Sequence, residues 1–179
     1  MSWQEIAAAH GKQAHAGMQL NALTGSSHFT THPLPGVFDQ PPLIGSLPQD
    51  LVAQLAAALG RHTSTPERCW FAIWNGFGAM PPDVRSAPTF ATPNRKYHLL
   101  AGPVASAADV GHPALGQSPN LWWPDDHAWC VATEIDFNTT YIACGDTARE
   151  DIVALPALEA RPIDPRCGVR WDSDLINPV

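Results

Sequence analysis

A chain of 179 residues, 45% hydrophobic and only 15% charged, is long enough to bury roughly two-thirds of its unfolded surface as one domain. Its net charge of −7 argues against nucleic acid as a partner, because phosphate contacts need clustered Lys and Arg. Eighteen prolines and thirteen glycines predict many turns and few long helices.

The Met1-Ser-Trp-Gln-Glu start has neither a basic n-region nor an apolar h-region, so no signal peptide is expected. Ser2-Trp3-Gln4-Glu5 has the form of a capping box and predicts a helix through Ala9, stopped at Gly11. A second helical piece is predicted over Ala16–Leu23. Gly25–Gly45, with Pro33, Pro35, Pro41 and Pro42, predicts an irregular stretch that is long for a loop, hence wrapping or functional. Ser46-Leu47-Pro48-Gln49 is a second capping-box form. The helix that follows to Leu59 places Leu51, Leu55 and Leu59 on one stripe beside Val52, with Gly60 as its stop. That helix is also the most apolar window, and it is far too short to span a bilayer.

Cys69–Trp74 (CWFAIW) is apolar throughout, which predicts a central strand covered on both faces. The prolines at 81, 82, 88 and 93 predict an extended loop after it. Arg95–Ala101 reads as the next strand, and Ala105–Val110 as a helical turn. Ala128–Asp136 alternates an aromatic and aliphatic side with one of small residues that ends acidic. Asn138-Thr139 predicts a hairpin turn into a strand ending at Cys144. Thr147-Ala-Arg-Glu150 is a third capping-box form, opening a helix that Pro156 ends. Leu158–Ile163 predicts a last strand, at an edge because Pro162 lacks a donor. The fold class expected is α+β, a mainly antiparallel sheet of four to five strands with helices packed on it and Pro-rich loops. One domain is expected over 1–179, with a helical and irregular segment at 1–62 and a sheet-containing body at 63–176. Cys69, Cys130, Cys144 and Cys167 have no CxxC spacing, so free thiols in a cytoplasmic protein are expected.

At CWFAIWNGFG (69–78), RKYHLLAGP (95–103) and SPNLWWPDDHAWCVATEIDFNTTYI (118–142) the chain resembles a family of uncharacterised bacterial proteins, common in actinobacteria. Asp172-Ser173-Asp174 adds a terminal block of the same kind. The resemblance spans most of residues 64–176. It implies no activity and transfers no catalytic residue.

The chemistry therefore rests on the residues themselves. Trp122 and Trp123 point to opposite sides of an extended chain; they form a stacking platform for a ligand or, in at least one case, a plug in the core. Asp125, Asp126 and His127 offer acid–base or metal-ligand chemistry, against which stands the ordinary use of Asp in turns. No metal site is expected. Glu134 and Asp136 lie on one side of a strand about 7 Å apart by strand rise. They read as a carboxylate pair with unequal acidities or as ion-pair partners of Arg95. Tyr97 and His98 point to opposite faces of their strand. His28 and His32 are spaced i,i+4, but Pro33 opposes a zinc-binding helix there. No P-loop, dinucleotide fingerprint, nucleophile elbow or HExxH is present, so no cofactor is expected.

Two functions follow as expectations. The first is a small acidic binding protein that engages a protein partner or small-molecule ligand through the Trp-rich loop, with Trp122, Trp123, Tyr97 and Arg95 as contact residues. The alternative is a hydrolase-like enzyme using Glu134, Asp136, Asp126 or His98 in a Trp-walled pocket.

Overall fold

Cys69–Trp74 is the strand on which the sheet assembles, because its branched and aromatic side chains favour the pleat and it has two partners. In the computed structural model, which describes residues 2–26, 35–36, 38–78, 80–112 and 116–177, this strand is β1. After it come β2 (Thr89–Thr92), β3 (Arg95–Gly102), β4 (Leu121–Pro124), β5 (Trp129–Thr133) and β6 (Thr140–Cys144). The sheet order is β2-β3-β1-β4-β5-β6, and every neighbouring pair is antiparallel.

The sheet thus has six strands, two of them outside the predicted set and one predicted strand missing. β2 and β3 are joined by a two-residue turn at Pro93-Asn94, since Thr92 pairs with Arg95; both residue types suit such a turn. The prolines around Thr89 concealed this strand. β4 is only four residues long and ends in Pro124, so its own pattern is weak, and pairing with β1 and β5 makes it a strand. Leu158–Ile163 forms no strand. Leu158 and Ala160 instead pack against the main core, while the Glu159 carboxylate accepts the main-chain N–H groups of Trp3 and Gln4.

Among the described residues there are five α-helices: α1 (Trp3–Ala9), α2 (Leu20–Thr24), α3 (Gln49–Leu59), α4 (Pro82–Ser86) and α5 (Asp146–Val153). Only the first capping-box form closes, with Ser2 and Glu5 bonded in both directions. α3 starts after Pro48 and α5 after Gly145, neither with a side-chain cap. α3 buries Val52, Leu55, Ala56 and Leu59, the i, i+3, i+4, i+7 stripe of an amphipathic helix, against Phe71, Trp122, Trp129, Val131 and Ile152. The Trp129 indole N–H donates to the Leu59 carbonyl at 3.0 Å, satisfying an orphan at the helix end. α4 extends this layer through Val84, Ile73 and Met80. A second cluster, Ile6, Ala7, Met18, Leu20 and Leu23, unites α1 and α2. The chain's last turn closes on that unit: Asp174 accepts from His15 Nε2 at 2.8 Å and from the amides of Ile176 and Asn177.

Residues 27–34 and 37 of the predicted irregular stretch at 25–45, including His28 and His32, lie outside the described residues. Its end is tied down. Asn120, 1% exposed, accepts from the Trp74 amide at 2.8 Å and donates to the carbonyls of Gly45 at 3.0 Å and Thr133 at 3.3 Å. Ser118 accepts from the Leu47 amide, and Asn138 donates to the carbonyls of Pro42 and Leu43. No helix among the described residues is long and apolar enough to cross a membrane.

Candidate functional site

Residues directly opposite one another in an antiparallel pair share a face, so the register sorts the sheet into two sides. Cys69, Phe71, Ile73, Leu100, Trp122, Val131 and Ile142 belong to the side that α3, α4 and α5 cover. The other side carries Trp70, Ala72 and Trp74 of β1, Leu99 and Ala101 of β3, Leu121 and Trp123 of β4, and Cys130 and Ala132 of β5. None of these nine belongs to any of the three buried clusters. Ala72, at the centre of this side, is fully buried, Trp70, Trp74, Leu99, Leu121, Trp123, Cys130 and Ala132 are half-buried, and Ala101 is exposed.

The outward side of an antiparallel sheet is ordinarily polar. Here Arg95, at one corner, is the only charged strand residue on it. Among the described residues β1 is therefore central in the sheet but covered by helices on one side only, in place of the cover expected on both faces. Its all-apolar sequence has a second cause in the open face.

Aromatic packing organises that face. Phe90 of β2 stacks on Tyr97 with centroids 5.4 Å apart and meets Trp123 edge-on at 6.3 Å. β2 and β4 are separated by two strands at about 4.8 Å per step, so this contact requires the β2–β3 hairpin to curl over the sheet, as twisted ribbons do. Tyr97 is buried beneath Phe90 in consequence. Trp70 is held by its indole N–H, which donates to Asp125 at 3.1 Å. Beside it, at the end of β1 and β3, an open hollow of about 300 Å³ is lined by Glu67, Arg68, Cys69, Trp70, Ala101 and Gly102. At the β6 corner the Gln19 amide reaches the Tyr141 hydroxyl at 3.4 Å.

The two tryptophans separate as alternation requires. Trp122 is 1% exposed, stacked near Phe71 and edge-on to Trp129. It is part of the core and lines no outer surface, which corrects its place among the contact residues. Trp123 lies on the open face.

Of the acidic candidates, Glu134 and Asp136 are brought together on Arg95 and Asp126 is not. Glu134 and Asp136 are both bonded to Arg95 Nη2 at 2.7 Å, the ion-pair alternative of the sequence reading. The Glu134 hydrogen bond, against some desolvation, raises the Arg95 pKa above its ordinary value. A cavity of about 10 Å³ adjoins Asp136, room for a single water. Asp126 lies beyond the opposite end of β5, whose five residues span roughly 16 Å. Its carboxylate accepts from the Thr63 hydroxyl, the Ser64 hydroxyl and amide, and the Ala128 amide. The Ser64 hydroxyl is the chief cause holding this acid well below the usual carboxylate range. Asp125 is likewise engaged, with Arg68 at 3.0 Å. The Asp-Asp-His cluster is therefore turn chemistry, and His127 adopts the left-handed backbone at φ 56°. His98 pairs with Ile73 on the helix-covered side, opposite Arg95 and Glu134.

Among the described residues no three His, Cys, Asp or Glu side chains converge as metal ligands. The cysteines are unpaired, and burial pushes the Cys69 thiol up to about 11, so it is neutral and inert at physiological pH.

Sequence reasoning missed Trp70, Leu99, Leu121 and Phe90 as surface residues. The available signal was the period-two pattern of CWFAIW and LWW, apolar at both phases, which a strand buried on both sides produces equally. Comparison with protein-family models, curated proteins and solved structures returns no match.

Proposed function

We propose that this is a binding protein whose contact surface is the helix-free aromatic face of its sheet. One observation carries the reading: the outward positions of four adjacent strands, from Leu99 through Trp70 and Trp123 to Cys130, hold a single charged residue, Arg95 at one corner. A soluble fold gains nothing by leaving such a surface against water, and contiguous apolar patches of this kind mark interaction sites. Trp70 and Trp123 supply large, stiff contact area at low entropic cost. The protein is read as acidic and intracellular, with a protein surface as the occupant.

A hydrolase built on Glu134, Asp136 and Asp126 has less to stand on. Arg95 engages the first two, the third serves a turn, and the cavity beside Asp136 holds no more than a water. The resemblance to the bacterial family supplies no activity to weigh against this.

The test compares tagged wild-type protein with a Trp70→Ala/Trp123→Ala variant, each expressed in cells, purified and examined by native mass spectrometry. A stoichiometric companion held by the wild type and lost from the folded variant supports the reading. A companion held equally by both, or a wild-type protein that carries none, overturns it.

A further inference from the structure

The open face is apolar in the middle and acidic at its ends. At one end Glu134 and Asp136 share Arg95. At the other Asp125 pairs with Arg68, Glu67 lines the adjoining hollow, and Asp126 follows in the same turn. Five carboxylates against two guanidinium groups leave an excess of three negative charges around the face, within a chain of net charge −7.

Resting on the reading of this face as a binding surface, we infer that its occupant is a cationic protein segment. Apolar side chains of that segment lie on Leu121 and Trp123, and its Arg or Lys residues reach the acidic ends. Three physical arguments select this occupant. A second copy docked face to face sets acid against acid wherever the ends meet, and like charges across an interface are costly. Nucleic acids and anionic bilayers are repelled by the same field. Half-buried Trp rings beside carboxylates suit guanidinium or ammonium groups, which gain from the ring face and the anion together.

Ala101 provides the test. It is exposed, stands directly opposite Trp70 and lines the hollow, so a longer side chain there removes no packing. The full chain, immobilised, is used to select from a displayed library of random peptides. Enriched sequences are then assayed against wild type, Ala101→Arg and Ala101→Glu, with thermal melts to verify folding.

The expected result is enrichment of peptides with net positive charge. Ala101→Arg should weaken their binding about tenfold or more while Ala101→Glu retains it, and about 0.5 M salt should weaken it as well. Peptides that are neutral or acidic, or that lose binding equally to both variants, overturn the cationic occupant and leave the face as a binding surface. Peptides indifferent to both variants and to Trp123→Ala, or no enrichment at all, overturn the binding face itself. A dimer in sedimentation that Ala101→Arg disrupts would make a second copy the occupant and overturn the inference.

Discussion

Replacing Asn120 by Ala should cost about 3–4 kcal/mol, because three buried main-chain groups lose their partner together. The Trp74 amide, the Gly45 carbonyl and the Thr133 carbonyl all bond to this one side chain, which is 1% exposed. Solvent does not readily replace it, and each stranded group is worth about 1 kcal/mol or slightly more. The whole protein should be stable by roughly 5–15 kcal/mol, so the variant still folds. For a chain of this size the melting temperature should fall by roughly 10 °C. Urea unfolding followed by tryptophan fluorescence measures the loss directly, with the slope verifying that the two end states are unchanged. Asn120→Asp preserves the shape but supplies no donor to Gly45 and Thr133. It should lose nearly as much at neutral pH and recover part of it in acid, where the protonated carboxyl donates again. A loss below about 1 kcal/mol for Asn120→Ala would refute the reasoning, since it would mean these groups find other partners.

The paired tryptophans should respond unequally. Trp122→Ala should destabilise by about 3–5 kcal/mol as core truncations do, and Trp123→Ala by less than about half of that; equal losses in denaturant melts would contradict the two-sided register. Gly45→Ala should cost more than about 2 kcal/mol. An added Cβ there would stand 2.8 Å from the Ile135 backbone, on a residue with φ +71°, and an unchanged melting temperature would refute that. Acid should loosen the Asp126 turn and the Asp174 clasp. Burial pushes the Asp174 carboxyl up, but the bonds from Asn177 and His15 outweigh it and hold the group below the ordinary value of 3.8; Asp126 is lowered further, by Ser64 first. A depressed folded-state pKa means the contribution is complete above the unfolded value and disappears as pH falls through the folded one. Stability should therefore be flat from neutral pH to about 4.5 and fall below about 3.8. Asp174→Asn should shallow that acid limb; a limb unchanged in the variant would exclude the clasp as its cause.

Much of this molecule was legible in order along the chain. The apolar run CWFAIW located β1 to the residue and Arg95–Ala101 located β3 within one, while the alternation of Ala128–Asp136 found β5 but ran past its end at Thr133. The stripe of Leu51, Leu55 and Leu59 beside Val52 identified the helix that covers the core, which buries Val52 rather than Leu51. The reading of Trp122 and Trp123 as pointing to opposite sides needed only strand geometry. The alternation of Ala128–Asp136 put Glu134 and Asp136 on one side of a strand, but β5 ends at Thr133 and it is the turn after it that brings both to Arg95.

Other features have no local signal. Thr89–Thr92 and Leu121–Pro124 are four residues each, too short for a period to show, and become strands through ladder bonds to distant partners. Asn120 looks like a turn residue beside Pro119; its three bonds exist only because β1, β5 and Gly45 converge on it. Above all, an apolar position in CWFAIW carries no mark of whether a helix will cover it. That was decided when α3, α4 and α5 packed on the same side of the sheet, leaving Trp70 and Trp123 on the other. Local sequence determines which way a side chain points along a strand, because the pleat repeats every two residues. What stands opposite it depends on contacts made from far along the chain, and those belong to the tertiary structure alone.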